Sequence, residues 1–131
     1  MKIVAVDHGS VRTGVAVCDE TGTLARPLTV VERVGTDAGF AVLLALLEAE
    51  KPARIVVGLP LSLDGREHAQ ARSARAFAAR LAAAVEVPVE LADERFTSKL
   101  ADQRGGSAAR DARAAATLLE DYLRTVHDQG T

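Results

Sequence analysis

The stretch VDHGSVRTGVAV, residues 6–17, joins two apolar runs through a turn and places an acid at the end of the first run. Residues 2–7 predict a short buried strand that ends at Asp7, and residues 13–18 predict a second strand. A carboxylate at the end of a buried strand is costly unless it is paired, hydrogen-bonded or bound to a metal. Two interpretations of Asp7 are open: a turn-forming residue, or a carboxylate presented to a metal ion.

The composition indicates one globular domain. The chain has 131 residues, of which 48% are hydrophobic and 26% charged. Its single cysteine allows no intrachain disulfide, no Cys/His spacing suggests zinc, and we expect a reducing, cytoplasmic setting. There is no leader pattern and no apolar run of ~18 residues, so we expect no membrane span. The net charge of −2 argues against a protein that coats nucleic acid through bulk charge.

The remaining pattern predicts the order β-β-β-α-β-α-β-α, with a short extra helix near residues 97–103. Pro27 suits an edge strand better than a central one. The first three strands are close enough to be antiparallel, and the last two are reached by helical crossovers, which predicts strands parallel to the first. We therefore expect an α/β fold with a five-stranded mixed sheet flanked by helices, in one domain over residues 1–126 with a flexible tail at 127–131. The predicted strands are 2–7, 13–18, 24–34, 54–60 and 88–92, and the main helices are 36–50, 66–85 and 107–126.

Two further acids stand out. Glu94 follows the strand at 88–92, where the ends of parallel strands form a crevice, although it also fits the first turn of a helix capped by Asp93. On the last helix Asp111 falls on the apolar side, close to the line of Ala115, which excludes a solvated face as its explanation. An ion pair with an arginine, Arg12 or Arg95, is the alternative for Asp111.

The acids at 7, 94 and 111 predict a metal centre if they converge. Three neighbouring carboxylates cannot all stay ionised without positive charge between them. Mg²⁺ or Mn²⁺ would supply that charge, because both take oxygen ligands. Two such ions ~4 Å apart activate water and stabilise the leaving oxygen of a phosphodiester. We therefore expect Asp7, Glu94 and Asp111 to be metal ligands and catalytic residues of a nuclease.

Four blocks in order resemble the YqgF/RuvX family of the RNase H-like superfamily. The resemblance implies an RNase H-like fold with antiparallel first strands and a divalent-metal nuclease site formed by Asp7, Glu94 and Asp111. It also implies one of two substrates, the 5′ end of precursor 16S ribosomal RNA or the four-way Holliday junction. Symmetric cutting of a junction would require a homodimer, although no apolar surface stripe marks an interface. The blocks are VDHGSVRTGVAVCD (6–19), VVGLPLSLDG (56–65), ADERFTS (92–98) and RDARAAATLLEDYL (110–123).

Basic residues near these blocks are candidates for contacts with phosphate groups. A solvated face or a local ion pair is the alternative for each, and Asp64 is interpreted as a turn residue before Gly65. Gly9 and Gly14 are expected to serve backbone geometry, through positive φ or close approach. The candidate phosphate contacts are Arg12, Arg66, Arg72, Arg75, Arg95 and Lys99.

Two rival functions compete with a nuclease. An Asp-x-Gly turn between strands also opens sugar-kinase and actin-type ATPase domains, but those enzymes need two such domains and 131 residues supply one. A non-catalytic RNA- or ribosome-binding module on the same fold is the other rival. The apolar setting of Asp111 counts against it, because a pure binder has no reason to hold a carboxylate there.

Overall fold

The computed structural model describes residues 2–19, 24–61, 64, 66–94 and 108–129. The elements follow the predicted order, and the helix predicted near 97–103 lies outside the described residues. In chain order they are β1 (Ile3–Asp7), β2 (Arg12–Cys18), β3 (Ala25–Glu32), α1 (Asp37–Glu50), β4 (Arg54–Leu59), α2 (Ala69–Ala84), β5 (Val89–Asp93) and α3 (Ala108–Gln129).

The sheet has five strands in the order β3-β2-β1-β4-β5. β1 is antiparallel to β2, and β2 is antiparallel to β3, whereas β4 runs parallel to both β1 and β5. This arrangement confirms the predicted mixed sheet. Pro27 lies on the edge strand β3, and the register shifts beside it, between Val15 and Ala16 of β2. A proline is tolerated there because an edge strand has no neighbour on one side.

Alternate residues of the strands supply two separate cores. One core packs β1, β2 and β4 against α1 and α2, with Leu43, Phe77 and Leu81 as its large helical side chains. The other packs the opposite face against α3, where Leu118 and Leu119 lie against small strand residues. We refer to these as the α1/α2 face and the α3 face of the sheet. The apolar side predicted for the last helix is confirmed by this second core.

Three helix boundaries are set by local chemistry. The Thr36 hydroxyl accepts a hydrogen bond from the Gly39 amide at 3.1 Å, which makes Thr36 the N-cap of α1. α2 begins at residue 69 rather than 66, because the carboxylate of Asp64 accepts from the Arg66 amide and forms a turn before the helix. α3 continues to Gln129, so residues 127–129 of the predicted tail are helical. Gly130 is the first helix-breaking residue after them.

The C-terminal half of α3 is anchored to the amino edge of the sheet by three polar side chains, which we call the amino-edge network. Arg54 Nη1 donates to the Tyr122 hydroxyl at 2.7 Å, and that hydroxyl donates to Glu90 Oε2 at 2.5 Å. Burial, followed by the bond to Glu90, raises the pKa of Tyr122 above its ordinary value. The hydrogen bond that Arg54 donates to Tyr122 raises the pKa of Arg54, so its guanidinium stays charged. Among the described residues, no helix combines the length and apolar character needed to cross a membrane.

Candidate active site

Asp7 lies at the carboxyl end of β1 and is only 6% exposed. Its Cα partner on β2 is Gly14. Side chains alternate along a strand, so Asp7 shares a face with Ile3 and Ala5. Both of these residues belong to the core that packs against α3. The carboxylate of Asp7 is therefore on the α3 face, at the edge where β1 ends.

Gly14 brings the first turn of α3 next to Asp7. A Cβ atom at Gly14 would lie 2.0 Å from the carbonyl oxygen of Asp111, far inside contact distance. The backbone of α3 therefore rests directly on β2 at the residue opposite Asp7. The sequence suggested that Gly14 serves close approach, and the approaching group is the helix that carries Asp111.

Gly58 plays the corresponding part on the other side of Asp7. Val6 pairs with Val57 of β4, so continuing this parallel register places Gly58 level with Asp7. A Cβ atom at Gly58 would lie 2.4 Å from both Cδ and Oε2 of Glu94. The Glu94 carboxylate therefore lies over the strand next to Asp7. Gly58 shares the α3 face with Val56, which packs in the α3 core.

Glu94 reaches this position because the chain turns back as β5 ends. Its amide donates to the carbonyl oxygen of Leu59 at 3.1 Å, which ties the first residue after β5 to the end of β4. The residue is 5% exposed. A glutamate is rarely buried to this extent without a compensating charge or ligand. Glu94 thus has the burial that we expect of a functional acid.

Asp111 is held by an arginine. Arg12 Nε donates to Asp111 Oδ2 at 2.7 Å, and each side chain is about one-third exposed, at 34% and 29%. This ion pair is the alternative that the sequence left open for Asp111, with Arg12 as its partner. Arg12 lies two residues before Gly14 on β2 and so points to the same α3 face.

These contacts bring three acids to one corner of the sheet. Asp7 stands between two glycines, Glu94 covers one of them and the backbone of Asp111 covers the other. Carboxylate oxygens are the donors that Mg²⁺ and Mn²⁺ prefer, so the donor set and its burial fit such ions. As the side chains stand, the described part of the chain has no group of three that would enclose a metal. Asp111 accepts a hydrogen bond from Arg12, so its carboxylate would have to leave or share that ion pair to bind a cation.

The predicted phosphate contacts on the segment before α2 and on α2 itself have local partners. Arg75 makes two bonds to Glu67, at 2.6 and 2.8 Å, and this bond and charge lower the pKa of Glu67. Arg72 donates to the backbone carbonyl of Glu67, and Arg66 pairs with Asp64. These contacts match the solvated-face alternative, with each guanidinium still partly exposed. Arg95 and Lys99 lie outside the described residues.

Gly9 and His8 shape the turn after Asp7. A Cβ at Gly9 would lie 2.2 Å from the carbonyl oxygen of Arg12, so the turn closes tightly only with glycine. The His8 ring stacks on Phe77 of α2 with centroids 4.5 Å apart and planes 20° apart. His8 also lines a groove of about 490 Å³ between this turn and the start of α2, together with Ser10 and Gln70. The histidine is thus fixed on the α1/α2 face.

Sequence reasoning singled out the three acids as candidates and did not single out Gly58. The available signal was a glycine inside a β-branched strand, RIVVGL, which often marks close approach of another group. The sequence alone did not distinguish Gly58 from the glycines of turns, because the residue that packs against it, Glu94, is 36 residues away in the chain.

Comparison with known proteins agrees with this architecture. A family model described as "RuvX: Holliday junction resolvase" matches residues 1–125. A relative from Anaeromyxobacter dehalogenans named "Putative pre-16S rRNA nuclease" is 45% identical, with 94% of this chain and 96% of the relative covered. A relative of the same name from Maridesulfovibrio salexigens is 39% identical, with 94% and 98% covered.

The fold is also found in a solved structure. RuvC of Thermus thermophilus matches with a TM-score of 0.57 at 21% identity, covering 100% of this chain and 98% of RuvC. At that identity the likeness concerns the fold, and it confirms the expected RNase H-like sheet. From the family model, the two relatives and this fold together, we conclude that the chain belongs to the RuvX family, two relatives of which carry the name "Putative pre-16S rRNA nuclease".

Proposed function

We propose that this protein is a divalent-metal-dependent endonuclease that hydrolyses phosphodiester bonds in structured nucleic acid in the cytoplasm. One observation carries the proposal: Asp7 is flanked on the α3 face by two glycines, and the Glu94 side chain and the backbone of Asp111 occupy the space that those glycines leave. Burying two carboxylates close to a third at one corner has a large electrostatic cost. A bound metal ion would offset that cost, which gives a physical reason for placing the acids together.

In this proposal Asp7, Glu94 and Asp111 hold Mg²⁺ or Mn²⁺. Bound there, two such ions activate a water and stabilise the leaving oxygen of a phosphodiester. The chain contributes geometry. Asp7 is held at the end of the buried strand β1. The backbone hydrogen bond from Glu94 to Leu59 fixes the turn that carries Glu94, and the long helix α3 carries Asp111. Burial of Asp7 and Glu94 excludes water from two of the three carboxylates, which strengthens their attraction for a cation.

Two substrates fit the relatives. Several are named for precursor 16S ribosomal RNA, and the family description names the Holliday junction. We propose that the protein acts on one of these two. Cutting both strands of a four-way junction symmetrically would require two copies of the chain, whereas trimming one RNA end would not. Sedimentation with and without junction DNA would therefore report on the junction alternative.

The test is cleavage of labelled precursor-type RNA and labelled four-way DNA junctions in Mg²⁺ and in Mn²⁺. We expect cleavage of one substrate by the natural chain and at least a ~10³-fold loss in Asp7→Asn, because an amide replaces a charged ligand. Asp121→Asn is the matched control, since Asp121 lies on the exposed side of α3 and pairs with Arg124.

Two outcomes would contradict the proposal. Equal cleavage by Asp7→Asn and the natural chain would place the chemistry elsewhere. Binding of either substrate without cleavage in both metals would favour the non-catalytic RNA-binding module instead.

A further inference from the structure

The Arg12–Asp111 contact joins parts of the chain that are 99 residues apart, and it occupies the acid that completes the candidate metal site. The bond runs from Nε to Oδ2 at 2.7 Å, the length of a strong charge-assisted hydrogen bond. In the described part of the chain no three acids stand close enough to hold a metal ion, and the Asp111 carboxylate is engaged by Arg12 instead. The contact therefore bears on how the site is completed.

We propose that Arg12 is a latch: it holds the Asp111 carboxylate in the metal-free protein and gives it up when a divalent cation enters. This inference rests on the proposed function, because it needs Asp7, Glu94 and Asp111 to be the metal ligands. Arg12 is a positioning residue in this account. It acts through Asp111, and it sets the affinity and order of metal entry.

Electrostatics explains why such a latch is useful. Without a cation, the Arg12 guanidinium supplies the positive charge that Asp111 needs close to two buried acids. A divalent ion supplies more charge at the same place, so the cation and Arg12 compete for one carboxylate. Because of this competition, the apparent metal affinity equals the intrinsic affinity multiplied by the fraction of molecules in which Arg12 does not hold Asp111.

The released guanidinium has a natural second ligand. Arg12 is one-third exposed at the rim of the site, and arginine binds phosphate oxygens in the same forked geometry that it uses for carboxylates. In this scheme Arg12 passes from Asp111 to a substrate phosphate. The sequence had offered an ion pair and a phosphate contact as alternatives, and the latch makes them successive states.

If Arg12 had a different role, its removal would change the metal affinity in the opposite direction. If Arg12 merely oriented Asp111 through Oδ2 while the other oxygen bound the metal, its removal would weaken metal binding. If Arg12 were a latch, its removal would strengthen metal binding. The direction of the change in metal affinity therefore separates the two roles without any measurement of cleavage.

The experiment is titration of Mn²⁺ into the full chain by calorimetry, without nucleic acid. For Arg12→Gln we expect about three- to five-fold tighter binding, the upper part of the range set by a partly exposed ion pair. In an Asp111→Asn background the same change should give a clearly smaller gain, since there is no latched carboxylate to free. This comparison separates the latch from the simple loss of a nearby positive charge.

Arg124→Gln is the control, because it removes an equal charge from an exposed ion pair on the same helix. It should leave the Mn²⁺ affinity within two-fold. Arg12→Lys is the second variant if Arg12→Gln unfolds; it keeps the charge, loses the Nε donor that bonds to Asp111 and should give a smaller gain in the same direction. Unchanged or weaker Mn²⁺ binding in the folded Arg12 variants would overturn the latch.

Failure of the latch and failure of the proposed function give different results. If the natural chain binds Mn²⁺ and Asp7→Asn loses that binding, the metal site stands, and only the Arg12 variants decide the latch. If Asp7→Asn binds Mn²⁺ as tightly as the natural chain, or if the natural chain does not bind it, the metal site and the latch are both wrong.

Discussion

α3 meets the sheet through polar side chains at two places, and the two contacts differ in charge balance. Near its start, Asp111 pairs with Arg12 at the carboxyl edge of β1, beside Asp7 and Glu94. Eleven residues later, about 16 Å along the helix, Tyr122 joins the amino-edge network with Arg54 and Glu90.

The amino-edge network has no net charge. The charges of one guanidinium and one carboxylate balance each other, and the hydroxyl between them bonds to both. At the opposite edge, three carboxylates share one corner with the Arg12 guanidinium, and two of those acids are almost fully buried. The balanced contact fixes the helix, whereas the cluster of acids marks the place where we propose that a ligand binds. The comparison indicates that a neutral contact near the C-terminal end of α3 stabilises the fold, whereas its N-terminal end carries a candidate catalytic acid.

The largest effect should come from Gly14→Ala. The new Cβ would collide with the backbone carbonyl of Asp111, which a side-chain rotation cannot relieve. We expect a loss of about 3 kcal/mol in the free energy of unfolding, measured by urea titration, together with loss of cleavage. Gly35→Ala is the control, since a Cβ there meets nothing within 4 Å. Equal stability of the two variants would show that α3 does not rest on Gly14.

Gly58→Ala should damage the site more than the fold. Its Cβ would meet the far end of the Glu94 side chain, which can rotate away. We therefore expect a loss of less than about 1 kcal/mol in stability and a fall of about ten-fold or more in the cleavage rate, because a ligand of the metal is displaced by an ångström or more. Unaltered cleavage by the folded variant would remove Glu94 from the site.

Tyr122→Phe should damage the fold more than the site. It removes the hydroxyl that links Arg54 and Glu90, so we expect a loss of about 1 kcal/mol in the free energy of unfolding. The cleavage rate should stay unchanged, since the amino-edge network lies at the other edge of the sheet. A large fall in cleavage with normal stability would contradict this division between the two ends of α3.

The pH dependence of stability gives Tyr122→Phe its own signature. The folded protein raises the pKa of Tyr122 above the ordinary value of 10.0, so it holds the phenolic proton more tightly than the unfolded chain does. This contribution is fully present below pH 10 and is lost as pH rises through the folded pKa. The stability difference between the natural chain and Tyr122→Phe should therefore shrink in alkaline urea titrations.

The smallest effect is expected at Arg72. As a phosphate contact it would contribute one released counterion, so Arg72→Gln should lower the slope of log affinity against log salt by about 0.7 to 0.9. Arg75→Gln should change the slope less, because Glu67 already holds that guanidinium with two bonds. Fluorescence anisotropy with labelled junction or RNA measures both slopes. Identical slopes for the natural chain and Arg72→Gln would show that α2 does not track the substrate.

Much of this arrangement was predictable from the sequence. Strand patterns and crossover rules gave the mixed sheet, and its register places the ends of β1, β4 and β5 at one edge. The helical pattern of the last segment placed Asp111 on the side that faces the sheet, and the α3 core agrees. These inferences work because they depend on local periodicity and on the hand of connections.

What escaped prediction depends on distances between remote segments. The choice of Arg12 as the partner of Asp111 requires the spacing between β2 and α3, which no local pattern carries. The role of Gly58 requires knowledge that the chain after β5 folds Glu94 back over β4. The later start of α2 was missed because a side-chain bond from Asp64 competes with the helix.

The most direct test of the central claim is the affinity of Mn²⁺ for the folded chain and for Glu94→Gln, followed by electron paramagnetic resonance of the free ion. The account predicts saturable binding to the natural chain and at least about ten-fold weaker binding to Glu94→Gln, because a buried carboxylate ligand becomes a neutral amide. Equal Mn²⁺ affinity for the two proteins would contradict a metal centre built on the carboxyl edge of this sheet.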